Sequence, residues 1–213
     1  RTETPQLAAH CLPGDDQGFF LLALPPSRQT RDDDPGPCDL FVFADTSLSQ
    51  AGLAFGLETK AVRYLLSQLG PEDRFAVRAF DAGVRPVGPP KPCAPTPENL
   101  ASVLEALGAV VPLGGTDFET LFGAVGDILA KRTPGRRRVA VVLTDGMMTL
   151  GSREAGAALD RLGSGATSGE TPVHVLALGN PVNRDLLGGL ARRTGGLCVE
   201  ASHASSFDRG LLD

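Results

Sequence analysis

DLFVFADTSLS, residues 39–49, decides how this chain is read. Residues 39–44 form a short, nearly continuous apolar run, the pattern of a strand covered on both faces. The run ends abruptly in Asp45-Thr46-Ser47-Leu48-Ser49. In a sheet of parallel strands, binding groups gather at the strands' carboxyl ends, and this cluster of oxygen-bearing side chains stands at such an end.

Working outward, strand and helix signals alternate. Residues 52–69 run at helical spacing, with Leu53, Leu57, Ala61, Leu65 and Leu69 stepping by four until Gly70-Pro71 stops the helix. RFAVRAF (74–80) alternates like a strand, and 82–87 can return beside it as a hairpin. Residues 88–97 hold five prolines and read as a loop, followed by a helix over 98–109. Gly114-Gly115 is a turn. Thr116-Asp117-Phe118-Glu119 is a capping box opening a helix whose Phe118, Leu121, Phe122, Val125 and Leu129 share one face. RVAVVLT (138–144) is another buried strand. A helix over 153–162, a Gly/Ser loop, a strand at 172–179, a helix at 183–194 and a strand at 197–201 complete the series. This alternation predicts the α/β class, a doubly wound, mostly parallel sheet with helices on both faces.

Ahead of this region, GFFLLALP reads as one buried strand, and residues 26–37 (PSRQTRDDDPGP) as a linker that includes Asp32-Asp33-Asp34. Residues 1–25 are expected to be the tail of a preceding domain, 38–203 the main domain and 204–213 a C-terminal extension. With Arg1 first and no signal segment in view, the chain is expected to be a piece of something longer. The 213 residues are 42% hydrophobic, enough for a real core. A formal net charge of −5 argues against a general nucleic-acid binder. No apolar run reaches the ~18 residues of a membrane span, so no membrane insertion is expected. Cys11, Cys38, Cys93 and Cys198 form no metal-type spacing and leave either redox compartment open. No nucleophile elbow or P-loop occurs. His174, inside an apolar strand, reads as a satisfied sheet residue. Arg136-Arg137-Arg138 with Lys131 and Arg132 reads as a solvated loop before a strand rather than a phosphate-backbone contact.

Three loops can carry chemistry: Asp45, Ser47 and Ser49 after the first strand, Thr116 after the Gly-Gly turn, and Asp145 after RVAVVLT. If they open on one edge, two carboxylates and three hydroxyls converge. Such hard oxygen donors suit Mg²⁺, with Mn²⁺ or Ca²⁺ as alternatives, and leave room for an incoming ligand. Each residue also has a local reading. Asp45 can cap a turn, Ser47 or Ser49 can cap the following helix, and Thr116 is the capping-box residue. Met147-Met148 packs under the loop or forms an adaptable apolar rim.

DLFVFADTSLS, GGTDFETL and VAVVLTDG, in this order and spacing, resemble the metal-ion-dependent adhesion site of von Willebrand factor type A domains. GFFLLALPP is similar to the last strand of the inter-alpha-trypsin (VIT) domain that often precedes them. The resemblance implies a Rossmann-like fold, metal ligation by Asp45, Ser47, Ser49, Thr116 and Asp145, and no catalytic residues. It implies a divalent-cation-dependent interaction module whose protein partner supplies an Asp or Glu carboxylate. Leu48 and Gln50 stand where many members of the subgroup have glycine and methionine. Two other functions are weighed beside it. One is an Mg²⁺-dependent phosphotransfer or phosphohydrolase domain with Asp45 as nucleophile, weakened by a serine where a second aspartate would stand. The other is a structural domain with an inactive metal site. Asp145→Ala is expected to lose metal while keeping the fold, as a strand-end residue on a solvent-facing loop.

Overall fold

The computed structural model describes residues 6–11, 18–23, 36–131, 133–151, 154–162 and 171–201. They belong to two units, Arg1–Pro35 and Gly36–Asp213, each taken by itself below. Residues 26–35 of the expected linker, the Gly/Ser loop at 163–170 and the expected extension at 204–213 lie outside the described residues.

In the first unit, β1 (Gln6–Cys11) pairs antiparallel with β2 (Gly18–Ala23), Gln6 opposite Ala23 and Cys11 opposite Gly18. The second of these is the strand read in GFFLLALP. QLAAHC was not anticipated as its partner, because small and polar residues break any period-two alternation there.

The second unit is built around β3 (Cys38–Asp45), every residue of which is buried. The chain continues through α1 (Leu53–Ser67), β4 (Arg74–Phe80), β5 (Val84–Val87), α2 (Pro97–Gly108), α3 (Phe118–Ala130) and β6 (Arg137–Thr144). It ends in α4 (Ala155–Asp160), β7 (Val173–Leu178), α5 (Arg184–Thr194) and β8 (Cys198–Ala201). The strands form one six-stranded sheet in the order β5-β4-β3-β6-β7-β8. All pairings are parallel except β4 with β5. The expected doubly wound α/β class is the observed one.

Alternation along β3 explains its unbroken apolar run. Leu40, Val42 and Ala44 pack with Val62, Leu66 and Leu107 of α1 and α2. Phe41 and Phe43 point the other way, into Leu121, Phe122 and Val125 of α3 and Leu186, Leu187 and Leu190 of α5. Full burial of a side chain such as Phe43 contributes about 2–3 kcal/mol. In α1 the buried stripe is Glu58, Ala61, Val62 and Leu66, whereas Leu53 is 90% exposed. The expected step-by-four stripe misses because four residues overshoot one turn by about 40°, so a long i+4 series winds around the helix.

The route places the ligand edge. From β3 the chain steps to β4 on one side, then returns across to β6 on the other. Connections leaving β3 and β6 therefore diverge, opening a crevice at their carboxyl ends.

At the opposite, amino-terminal ends, the arginine run departs from its expected place in a solvated loop. The strand register sets Asp39 of β3 between Arg74 of β4 and Arg138 of β6. Arg74 grips the Asp39 carboxylate through Nη2 and Nε at 2.6 and 2.9 Å, and Arg136 through Nε at 2.7 Å. Arg136 also donates to the carbonyls of Cys38 and Glu72. A buried carboxylate at the head of the central strand thus recruits the arginines that sequence reading leaves in water. Burial opposes ionisation of Asp39, but the Arg74 and Arg136 hydrogen bonds outweigh it and hold the carboxyl below its ordinary range.

Because that pKa is depressed, the clamp's stabilisation is present above the ordinary carboxylate range and is lost as pH falls through the lowered value. Asp39→Asn should cost about 2 kcal/mol at pH 7, below the ~3–5 of a fully buried pair because Arg74 keeps water contact. The variant should also flatten the loss of stability below about pH 4. Urea unfolding at pH 7 and pH 3 checks both, and a variant as stable as the parent at pH 7 contradicts the clamp.

Candidate metal centre

Asp45 closes β3 with its side chain fully buried. Its Oδ1 accepts the Ser47 N–H at 2.9 Å, and its Oδ2 accepts the Thr144 hydroxyl at 2.6 Å. Its own N–H donates to Glu58 Oε1 at 2.6 Å. The Asp45–Ser47 bond bends the chain into a short 3-10 turn, Leu48–Gln50. It leaves the Ser47 and Ser49 hydroxyls 3.0 Å apart. Neither serine caps α1, whose N-cap is Gly52. Thr46, between Asp45 and Ser47, is already satisfied. Its hydroxyl reaches the Phe80 carbonyl at 3.2 Å and Asp81 Oδ2 at 3.0 Å, and accepts from Arg85 Nη2 at 3.0 Å.

Backbone bonds tie this loop to the next. Leu48 N–H donates to the Gly114 carbonyl, and Leu113 N–H to the Thr46 carbonyl, each at 3.0 Å. Thr116 does not cap α3, contrary to the capping-box expectation. Asp117 does, with Oδ1 accepting the N–H groups of Glu119 and Thr120 at 2.9 and 3.2 Å. A carboxylate adjacent to the helix start outcompetes a hydroxyl for those donors. Thr116 instead donates its N–H to the Thr149 hydroxyl at 2.6 Å, and its carbonyl accepts from Thr149 and Leu150. Its hydroxyl is buried without a hydrogen-bond partner among the described residues.

The third loop leaves β6 at Asp145, whose Oδ1 accepts the Met147 N–H at 2.9 Å and whose carbonyl accepts the Asn183 N–H at 2.8 Å. Asp145 is buried rather than solvent-facing, because the β7 end closes over it. Gly179 sits so near that a Cβ there would lie 2.9 Å from the Asp145 Cβ, and its φ of +130° is one that glycine accepts readily. Gly115 is constrained likewise, with a Cβ meeting the Thr149 hydroxyl at 2.6 Å. Of the Met147-Met148 pair, Met147 is exposed and Met148 packs against the core.

Asp45, Ser47, Ser49, Thr116 and Asp145 thus come from loops at one sheet edge. Burial pushes the Asp45 carboxyl up to about 6, against the Thr144 and Ser47 hydrogen bonds, with the Asp145 charge adding to the rise. Glu58, wholly enclosed beneath the first loop, is pushed well above its ordinary range by burial and then by the Asp45 charge. Its Oε2 has no partner among the described residues. Crowded carboxylates beside an orphaned hydroxyl form an oxygen-only donor set that a hard divalent cation would satisfy.

Glu58, Asp81, Thr144 and Thr149 are not among the residues that the sequence pattern singles out. Glu58 sits one position off the apparent apolar stripe of α1, so nothing local flags its burial. Asp81 stands directly after β4, the strand-end position that singled out Asp45 and Asp145. It bonds Thr46, Gly83 and Arg85, and its carbonyl accepts the Asp117 N–H at 2.8 Å.

The family profile of the von Willebrand factor type A domain matches residues 38–199. The chain belongs to that family. Its domains generally serve protein interaction. A von Willebrand factor type A protein from Catenulispora acidiphila superposes with a TM-score of 0.71 at 20% identity, over 82% of this chain and 41% of that one. The chain therefore spans about two fifths of that relative. The SpRpn10 VWA domain superposes at 0.62 with 12% identity, over 80% of this chain and 92% of that one. Proximal thread matrix protein 1 from the mussel byssus, with a zinc-occupied MIDAS motif, superposes at 0.58 with 17% identity, over 83% and 46%. At these identities the likeness is one of fold. No curated protein matches significantly.

Glu58→Gln keeps an acceptor for the Asp45 N–H and removes a buried acid. Because burial raises the Glu58 pKa, its stability contribution is full at low pH and declines as pH rises above the unfolded value. The variant's gain over the parent, measured by denaturant unfolding without metal, should therefore grow from pH 5 to pH 8. A gain that is constant or shrinking contradicts this assignment.

Proposed function

We propose that the chain is a divalent-cation-dependent protein-interaction module, with Asp45, Ser47, Ser49, Thr116 and Asp145 holding Mg²⁺, or Mn²⁺ or Ca²⁺ in its place. The buried, unpartnered Thr116 hydroxyl carries this reading, since a buried hydroxyl without a partner costs about 1–3 kcal/mol and a cation would recover it. The bound ion would supply an electrophilic position for a partner's carboxylate. The protein's own part is to hold three loops in register through the Leu48–Gly114, Leu113–Thr46 and Thr116–Thr149 bonds and to keep neutral hydroxyls beside two carboxylates. With only two acids in the set, a divalent ion keeps residual pull on an incoming anion.

The surroundings favour a partner protein over a small substrate. Leu48 is 58% and Leu113 69% exposed, and Met147 and Leu150 join them on the loops around the site. Exposed apolar side chains beside a carboxylate-seeking centre suit an Asp or Glu flanked by apolar residues. A phosphotransfer role for Asp45 fares worse, because Ser47 stands two residues on, where a second aspartate would be expected. We also read the β1–β2 unit as the end of a VIT-like domain, on the likeness of GFFLLALPP.

Isothermal titration should detect Mg²⁺ or Mn²⁺ binding to the parent chain. Thr116→Val, which replaces the orphaned hydroxyl by a methyl of similar size, should weaken it at least tenfold. The same variant should leave metal-free stability unchanged or raised by about 1 kcal/mol. Peptides bearing Asp or Glu between apolar residues should be retained with Mg²⁺ and released by EDTA. A parent chain that binds none of Mg²⁺, Mn²⁺ and Ca²⁺ points to the inactive-site alternative. Stable phosphorylation of Asp45 would revive the enzymatic one.

A further inference from the structure

The arginine run that sequence reading leaves in solvent builds a second hollow, at the edge of the sheet opposite the metal centre. A cavity of about 360 Å³ is lined by Lys131 at the end of α3, Thr133 in the following loop, Arg136, Arg138 of β6 and Thr171 ahead of β7. Leu129 and Pro134 complete its wall, and among the described residues no carboxylate lines it. Arg138 lies seven positions before Asp145 along β6, so the two centres are roughly 20 Å apart.

Arg138 is the unusual member. It is only 7% exposed, yet its Nε and Nη1 have no hydrogen-bond partner among the described residues. The Phe41 ring covers it, 5.3 Å from ring centroid to guanidinium carbon. A ring against the face of a guanidinium cannot serve N–H groups that lie in the guanidinium plane. Asp39, the acid opposite it in the strand register, is taken by Arg74 and Arg136. Arg138 is thus left without a carboxylate partner among the described residues. Leaving a buried cation with unused donors is costly, and the ligand that repays it is an anion with several acceptor oxygens.

We propose that this cavity binds a phosphate-class oxyanion, either free phosphate or the phosphate of a small monoester. Arg138 is the buried anchor, Lys131 and Arg136 the flanking cations, and the hydroxyls of Thr133 and Thr171 neutral donors. Guanidinium groups match tetrahedral oxyanions better than ammonium groups do, which explains why arginine occupies the enclosed position and lysine the rim. The site shares no residue with the metal centre, so it stands or falls apart from the reading given to that centre.

The test titrates inorganic phosphate into the full 213-residue chain at constant ionic strength, with chloride as the control, following backbone amide shifts and thermal unfolding. The expected result is saturable binding with shifts at Lys131, Thr133, Arg138 and Thr171, absent with chloride. Arg138→Met, of similar length and able to pack on Phe41, should weaken it at least tenfold, with circular dichroism reporting the fold. Lys131→Ala, an exposed substitution that leaves the core untouched, should weaken it at least twofold and decides the matter if Arg138→Met fails to fold. A second arm with glycerol phosphate separates the two sources. Tighter binding than inorganic phosphate assigns a monoester, and weaker binding the free ion. No saturable binding in either arm, or equal stabilisation of parent and Lys131→Ala by phosphate, overturns the proposal.

Discussion

Strand β3 is paired along both edges and covered on both faces, and the rest of the domain takes its position from that enclosure. A strand so placed can carry polar groups only at its two ends, where the covering helices stop. Both ends of β3 are acidic. Asp39 enters the sheet between arginines, and Asp45 leaves it among hydroxyls. The interior is apolar between them, so each carboxylate meets its compensation locally and the two edges of the sheet acquire opposite electrostatic characters.

The two ends solve the same problem differently. At Asp39, two arginines share one carboxylate, and a neighbouring arginine is left with unused donors among the described residues. At Asp45, hydrogen bonds from Ser47 and Thr144 only partly offset burial, and the Asp145 charge and the enclosed Glu58 add to the cost. Unused guanidinium donors at one end of the strand and crowded carboxylates at the other are each what a bound ion of opposite sign would relieve.

The candidate site was legible because its side chains follow strands whose apolar runs are unmistakable. DLFVFA and RVAVVLT mark two neighbouring parallel strands, and the residues after each stand at the same edge by construction. Thr116 is legible as a candidate site residue and also suits an N-cap, since Thr and Asp both do, and only the fold shows that Asp117 takes the cap. Asp81, directly after β4, carried the same strand-end signal as Asp45 and Asp145, whereas Glu58 escaped because its importance lies in a contact 13 residues away in sequence. Arg138 escaped for a related reason. Charge in a run predicts solvent, and nothing local announced that strand pairing would carry its third arginine opposite Asp39 and beneath a covering wall.

By itself, the sequence determined the order of strands and helices from Cys38 onward, the two-sided burial of the central strand and the oxygen chemistry at the strand ends. These are properties of hydrophobic period and side-chain type, which act over a few residues. Tertiary structure alone decided which strands neighbour one another, and therefore which charges meet. It seated Glu58 under the first loop, left the Thr116 hydroxyl without a partner and gave Asp39 to two arginines while denying it to a third. Those outcomes depend on packing across the sheet, where desolvation and pairing are settled by groups far apart along the chain.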